Sequence, residues 1–166
     1  YPSNPNGSDF NTAMLCSTRV PRNNEVDGLN YFFLTKDEFI KRIKNQEFIE
    51  WEEVYKNTFY GTLISELENA LQKNLIFDID VMGGLNIKKK FPKQTITIFI
   101  KPPSINELEV RLINRNLDSN SSIKTRINKA KDEILLADKF DHIVENNILE
   151  KSYSKVLHLV KNFING

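Results

Sequence analysis

The segment YGTLISELENALQKNLIFDIDVMGG, residues 60–84, contains the pattern that decides the fold. Ile64, Leu67 and Leu71 recur at helical spacing and predict a helix with one apolar face. The apolar run LIFDIDV follows at once and predicts a strand, and the Gly-Gly pair after it predicts a tight turn. A helix that leads directly into such a strand is typical of α/β proteins with parallel strands.

Two carboxylates stand at the end of this predicted strand. In an extended chain Asp78 and Asp80 point to the same side, so we expect both to meet one ligand. Ligands of open α/β sheets bind beyond the carboxyl ends of the strands. Two such carboxylates can hold Mg²⁺ through water, accept hydrogen bonds from a base or ribose, or serve in acid/base chemistry. The alternative is a frayed strand end in water or pairing with structural lysines.

The other segments repeat the alternation of strands and helices. Residues 1–9 predict a loop, and the closing segment predicts an amphipathic helix with Val156, Val160 and Phe163 on one face. The pattern as a whole predicts a three-layer α/β core with parallel strands. The remaining predicted elements are strands at FNTAMLC, YFFL, TITIFI and HIV, helices opened by the capping boxes Thr35/Glu38 and Ser104/Glu107, and a helix over 121–136.

Composition excludes several classes of protein. The 166 residues, 40% of them hydrophobic, suffice for one compact domain with its own core. With 23 basic and 22 acidic residues the net charge is +1, and no aromatic platform interleaves the basic residues, so a nucleic-acid binder is disfavoured. No apolar run reaches the length of a membrane helix. The single cysteine, Cys16, excludes an internal disulfide framework and is consistent with a reducing compartment.

Further polar residues are candidates for binding an anion and a base. Arg19 and Arg22 lie three apart in a turn, and two guanidinium groups match the oxygens of a monophosphate. Glu50 is able to accept hydrogen bonds from a base, and Tyr60 and Thr62 to donate to phosphate. Taken one at a time, each of these residues is equally compatible with an ordinary surface or half-buried role.

In order and spacing, the motifs resemble those of the guanylate kinase family. The resemblance runs from Phe10 to Phe163. It implies a P-loop-type parallel-sheet core with a GMP-binding insertion and a helical lid. It divides one domain, 1–166, into a core over 1–18, 77–109 and 129–166, a GMP-binding part over 19–76 and a lid over 110–128. The motifs that carry it are STRVPR, EVDGLNYFF, FIEW, YGT, DIDVMGG, FIKPPS and RLINRNLDSNSSIKTR.

The resemblance also implies roles for individual residues at the GMP end. Glu50 and Asp80 fall where relatives read the guanine edge, and a carboxylate suits the N–H donors of that edge. Asp78 falls near the phosphates and Mg²⁺, which it would hold through water. The implied holders of the GMP phosphate are Arg19, Arg22, Tyr31 and Tyr60, with Thr62 close by.

At the ATP end the resemblance assigns Arg111, Arg115 and Arg126 to the lid that clamps the transferred phosphoryl group. Arg111 and Arg115 are four apart and share a helix face, which by spacing alone also fits a solvated surface. Asn146 falls near the adenine in relatives. His142 and His158 are expected to be structural.

The implied reaction transfers a phosphoryl group from ATP to GMP or dGMP with the aid of Mg²⁺. Nothing in the chain resembles G-x-x-x-x-G-K-[S/T], so we expect the P-loop to lie upstream of Tyr1. The alternative is an inactive domain of the same fold that binds phosphorylated partner proteins. For the enzyme we expect a cytoplasmic location, a monomer or homodimer, and no nucleic-acid or membrane partner.

Overall fold

The computed structural model describes residues 10–70, 73–115 and 119–166. The chain forms two compact units, 1–90 and 91–166. The predicted loop over 1–9 lies outside the described residues. So does Leu71, which was predicted to belong to the helix with Ile64 and Leu67. Among the described residues, no helix is both long and apolar enough to cross a membrane.

The first unit contains six strands and three helices in its described part. They are β1 (Phe10–Thr12), β2 (Leu15–Ser17), β3 (Phe32–Phe33), α1 (Lys36–Lys44), β4 (Phe48–Tyr55), β5 (Thr58–Leu63), α2 (Ser65–Asn69), β6 (Asn74–Ile76) and α3 (Val81–Lys90). β1 and β6 form a parallel pair, while the other four strands form one sheet in the order β3-β2-β5-β4. The predicted strand FNTAMLC is therefore two strands, which belong to different sheets.

The β4–β5 hairpin makes the four-stranded sheet mixed. β2 is parallel to β3, as expected, but antiparallel to β5, which in turn is antiparallel to β4. β4 and β5 fall within the predicted GMP-binding part, 19–76, and not in the predicted parallel core. The two residues between them are too few for a parallel crossover. Asn57 adopts a φ of 59° in this turn, a conformation that asparagine tolerates better than most residues.

An aromatic cluster lies under this sheet. Phe39 of α1 is fully buried and stacks on Phe48 of β4, with ring centroids 4.4 Å apart. Phe59 of β5 and Cys16 of β2 complete the buried group. Helix α1 thus fastens three neighbouring strands together, and the strand ends that carry polar side chains are fixed as a consequence.

The second unit contains a parallel strand pair and three α-helices in its described part. The elements are β7 (Ile98–Lys101), α4 (Ile105–Asn114), α5 (Asn120–Ile134), a 3-10 turn (Ala137–Lys139), β8 (His142–Glu145) and α6 (Leu149–Asn165). β7 pairs with β8 in parallel, and Leu112 of α4 packs with Ile123 and Ile127 of α5. The predicted alternation of strands and helices is confirmed in this unit, although β7 begins later than TITIFI suggested.

The chain around the two aspartates differs from the prediction. β6 ends at Ile76, so Asp78 and Asp80 follow the strand instead of sharing one of its faces. Gly83 and Gly84 lie inside α3 and form no turn. The reason is local: the Asp80 carboxylate accepts the Gly83 N–H at 2.8 Å, which caps the first turn of α3.

The two predicted capping boxes have different outcomes. Thr35 and Glu38 form a complete box at the start of α1, with each side chain bonded to the other's backbone N–H. At α4 only half of the box forms: Ser104 accepts from the Glu107 N–H, while the Glu107 carboxylate binds Arg111. The Ser104 hydroxyl nevertheless fixes the start of this helix.

Thr35→Ala is expected to lower the free energy of unfolding by about 1 kcal/mol, because it leaves a helix N–H without its acceptor. Urea unfolding of the wild type and the variant measures the difference. The matched control is Thr125→Ala, an exposed mid-helix threonine of α5, where alanine is the better helix former. Equal destabilisation by both changes would contradict the capping assignment.

Candidate functional site

Two arginines and a glutamate form a network at the loop that follows β2. The Arg19 guanidinium donates to both carboxylate oxygens of Glu25, at 2.5 and 2.6 Å. Glu25 also accepts the backbone N–H of Arg22 at 2.7 Å, and the Arg22 guanidinium lies 3.7 Å from it. One carboxylate therefore holds both predicted phosphate ligands, and the cluster keeps a formal charge of +1.

Aromatic rings flank the same guanidinium. The Arg19 guanidinium carbon lies 4.8 Å from the centroid of the Tyr31 ring and 5.3 Å from that of Phe33. The Tyr60 ring meets Tyr31 edge-on, with centroids 6.3 Å apart. The structure thus brings Arg19, Arg22, Tyr31 and Tyr60 together, as the sequence predicted for an anion site.

The network fixes the charges of its members. The hydrogen bonds from Arg19 lower the pKa of Glu25 to about 2, and they raise the pKa of Arg19 above its ordinary value. Both side chains are mostly buried, with 14% of each exposed. Glu25 therefore stays ionised at neutral pH, and the arginine fork is held in place before any ligand arrives.

A second polar group surrounds Glu50 on β4. The Glu50 side chain is buried, and its carboxylate accepts the hydroxyl of Thr62, also buried, at 2.7 Å. The two residues face each other across β4 and β5, after a register shift between Phe48 and Glu50. Phe48, Ile49 and Glu50 are consecutively buried because of this shift, which ordinary strand alternation would not allow.

Asp80 lies next to this buried carboxylate. A Cβ placed on Gly83 would be 2.8 Å from one Glu50 carboxylate oxygen and 3.1 Å from one of Asp80, so both acids border the same small space. Burial is the main cause that raises the pKa of Glu50 to about 7, and the charge of Asp80 adds to it. The pair therefore presents several hydrogen-bond acceptors side by side, those of Glu50 being buried.

Asp78 is exposed two residues before Asp80. Within the described residues, no group of three or more His, Cys, Asp or Glu side chains is arranged to hold a metal ion. A single carboxylate still fits Mg²⁺ chemically, because this ion keeps several waters and binds one or two carboxylates together with substrate phosphates.

In the second unit the predicted arginines lie on two packed helices. The Arg111 guanidinium in α4 donates to Glu107 at 2.8 Å and to the backbone carbonyl of Asn146 at 2.9 Å. Arg115 caps the end of α4, and Arg126 lies in α5 beside Ile127 of the shared core. Arg111 therefore ties the helix pair to the chain directly after β8, which is the segment predicted to lie near adenine.

Sequence reasoning missed two residues of the first unit. Glu25 stands within the motif EVDGLNYFF, three residues after Arg22, and opposite charges at that spacing were a usable signal. Gly83 was interpreted as part of a turn, although its lack of a side chain is what admits Glu50 and Asp80 to one space. Nothing in the sequence alone indicates that close approach.

Glu50→Gln is expected to change how stability depends on pH. The folded state raises the pKa of Glu50 from 4.5 to about 7, so this carboxyl binds its proton more tightly in the folded than in the unfolded protein. The resulting contribution to stability is fully present at low pH and is lost as the pH rises through about 7. Glutamine has no such titration. The wild type should therefore lose stability relative to Glu50→Gln between pH 4.5 and about pH 7 in urea unfolding.

The control for this prediction is Glu53→Gln, an exposed carboxylate on the same strand. It should keep the pH dependence of the wild type. A parallel pH dependence in the wild type and Glu50→Gln would show that Glu50 does not titrate in this range.

Comparisons with known proteins agree with the geometry. The family model for guanylate kinase matches residues 4–163. Guanylate kinase of Bacteroides thetaiotaomicron is 46% identical over 155 residues, which are 92% of this chain and 76% of that protein. Guanylate kinase of Thermotoga maritima is 39% identical over 151 residues, which are 90% of this chain and 72% of that protein.

A solved structure gives the same answer. The crystal structure of guanylate kinase from Anaplasma phagocytophilum has a TM-score of 0.78 at 26% identity, and the match covers 93% of this chain and 76% of that one. The α/β, P-loop-type fold class and the resemblance inferred from the motifs are thereby confirmed. The chain belongs to the guanylate kinase family of nucleoside monophosphate kinases.

Proposed function

We propose that this protein transfers the γ-phosphoryl group of ATP to the phosphate of GMP or dGMP, giving ADP and GDP or dGDP. The observation that carries the proposal is the presence, within one compact unit, of an arginine cluster and of the buried carboxylate of Glu50 with Asp80 beside it. A nucleoside monophosphate has one anionic end and one base, and the unit offers a complement to each.

The base is read by Glu50 and Asp80. Guanine presents its N1–H and exocyclic amine as neighbouring donors, which suits carboxylate acceptors, whereas adenine presents a ring nitrogen acceptor at the corresponding place. Thr62 belongs to this end, because its hydroxyl proton is already donated to Glu50. A buried acceptor left without a donor is costly, so the pocket disfavours AMP.

The phosphate is held by Arg19, Arg22, Tyr31 and Tyr60. Guanidinium groups bind phosphate oxygens bidentately, and tyrosine hydroxyls add donors. Glu25 acts indirectly, since it keeps Arg19 fixed and partly neutralises the cluster. The GMP-binding part over 19–76 and the lid over 110–128 remain our proposed functional regions.

ATP is bound through Arg111, Arg115 and Arg126, with Asn146 near the adenine. Phosphoryl transfer requires no covalent nucleophile, only alignment of the two substrates and cations that stabilise the charge on the transferring group. Mg²⁺, when bound through water to Asp78 and to the substrate phosphates, supplies further positive charge there. We propose a cytoplasmic enzyme of purine nucleotide metabolism, monomeric or homodimeric, whose partners are its nucleotides.

Glu25→Gln is expected to raise the KM for GMP by about 10- to 100-fold, because Arg19 loses the ionic bond that orients it. The KM for ATP should change little, since Glu25 lies in the first unit with the GMP residues. Steady-state kinetics on the intact protein measures both. Glu68→Gln, at an exposed position of α2, serves as the control, and an unchanged KM for GMP in Glu25→Gln would refute the positioning role.

The direct test of the proposed function is a coupled ADP-release assay with ATP, Mg²⁺ and either GMP or AMP. We expect turnover with GMP and little with AMP. A folded, intact protein that turned over neither nucleotide but bound a phosphorylated peptide would favour the interaction-domain alternative. Equal turnover of both nucleotides would remove the base-reading role from Glu50 and Asp80.

A further inference from the structure

We propose that Gly83 is a positioning residue for guanine recognition, because its missing side chain provides the space in which the carboxylates of Glu50 and Asp80 approach each other. This inference rests on the proposed function and concerns the same pocket. It assigns a role in substrate selection to a residue that touches no substrate.

The space beside Gly83 is already filled by the two acids. A Cβ there would lie 2.8 Å from a Glu50 carboxylate oxygen, closer than side-chain carbons tolerate, and 3.1 Å from an Asp80 oxygen. Neither neighbour is backbone, so an added methyl group would displace side-chain oxygens first. The Glu50 oxygen is one of the acceptors that we assign to guanine, and the Asp80 oxygen is the one that accepts the Gly83 N–H, so its displacement would also turn the Asp80 carboxylate.

Backbone conformation does not require glycine at this position. Among the described glycines, only Gly28 has a positive φ, at 72°. Gly83 is the third residue of α3, and alanine is a better helix former than glycine. The glycine therefore makes α3 less stable than it could be, and space for the carboxylates is the feature that offsets this cost.

Helix α3 is also fastened to β4 beyond Gly83. The Asn86 side chain donates to Glu52 at 3.0 Å, and the Lys90 ammonium donates to the backbone carbonyl of Ile49. These contacts hold the later turns of α3 against the strand that carries Glu50. A methyl group at position 83 therefore cannot be accommodated by a simple retreat of the helix.

Glu50 has little freedom to yield without changing the pocket. Its other carboxylate oxygen is held by the Thr62 hydroxyl at 2.7 Å, and the residue is only 6% exposed. Rotation away from the methyl group would break that hydrogen bond or turn the acceptors out of line with the guanine edge. We expect the fold to survive and the affinity for GMP to fall.

The test is Gly83→Ala in the intact protein, with GMP binding measured by calorimetry and turnover by ADP release. The Kd and KM for GMP should rise by about 10- to 100-fold, as expected when binding groups are misplaced by about an ångström. The KM for ATP should stay within about twofold, and kcat at saturating GMP should fall much less than kcat/KM.

The matched control is Gly84→Ala, the same chemical change at the next position of the same helix. Each helical residue is turned by about 100° from the one before, so this methyl group lies on a different side of α3 from one at position 83. It should leave GMP binding close to that of the wild type. Equal losses in both variants would reduce the effect to a general disturbance of α3 and overturn the proposal.

A double variant separates positioning from a merely structural role. In a Glu50→Ala background the oxygen nearest to the methyl group is gone, so adding Gly83→Ala should weaken GMP binding little further. If Gly83→Ala alone failed to fold, recovery of folding in the double variant would support the same steric conflict. If Gly83→Ala folds, additive losses of GMP affinity in the double variant would overturn the proposal. If Gly83→Ala does not fold, a double variant that also fails to fold would overturn it.

These outcomes also separate the inference from the proposed function. A folded wild type that does not bind GMP would overturn the proposed function itself. A wild type that binds and phosphorylates GMP, together with a Gly83→Ala variant of unchanged Kd and KM for GMP, would overturn only the role of Gly83.

Discussion

The pairing of β5 with its two neighbours is the constraint on which the rest of the first unit depends. β5 lies between β2 and β4, so its residues Tyr60 and Thr62 face polar groups that arrive from both strands. The loop after β2 carries Arg19 to one side, and the register shift in β4 turns Glu50 inward opposite Thr62 on the other. Because β5 adjoins both strands, the sheet fixes where β4 presents Glu50 and where the loop that carries Arg19 begins.

Two glutamates show how the surroundings of a side chain shift its pKa in opposite directions. Glu25 accepts from Arg19 and Arg22, and its pKa falls to about 2, so it is a permanent negative charge that orders two positive ones. Glu50 is buried with a neutral hydroxyl donor, and its pKa rises to about 7. The two glutamates therefore differ in role: Glu25 is a fixed negative charge that orients arginines, and Glu50 is a buried hydrogen-bonding group. A buried carboxylate is costly unless donors satisfy it, so a ligand that brings donors to Glu50 is favoured over one that brings none.

Much of the fold was predictable because helix periodicity and capping are local. The complete box at Thr35 and the helices of the second unit follow from short-range pattern. The hairpin of β4 and β5 was missed because its strands carry charged residues, and its identity as antiparallel depends on a two-residue turn at Asn57. Candidate site residues came mainly from motif order. Glu25 and Gly83 were missed because their roles arise from contacts and from space, which no single segment of sequence reveals.

The two aspartates show where an argument from strand periodicity fails. Asp78 and Asp80 were expected to share a strand face, yet the strand ends before both, and Asp80 instead caps α3. A capping carboxylate is oriented by a backbone N–H and lies at the positive end of the helix dipole, which favours negative charge there. The close approach of two acids is therefore made tolerable by the start of a helix, and it is made sterically feasible by Gly83. The helix terminus and the glycine act together, so the selectivity we assign to the carboxylates depends on how α3 begins as much as on the acids themselves.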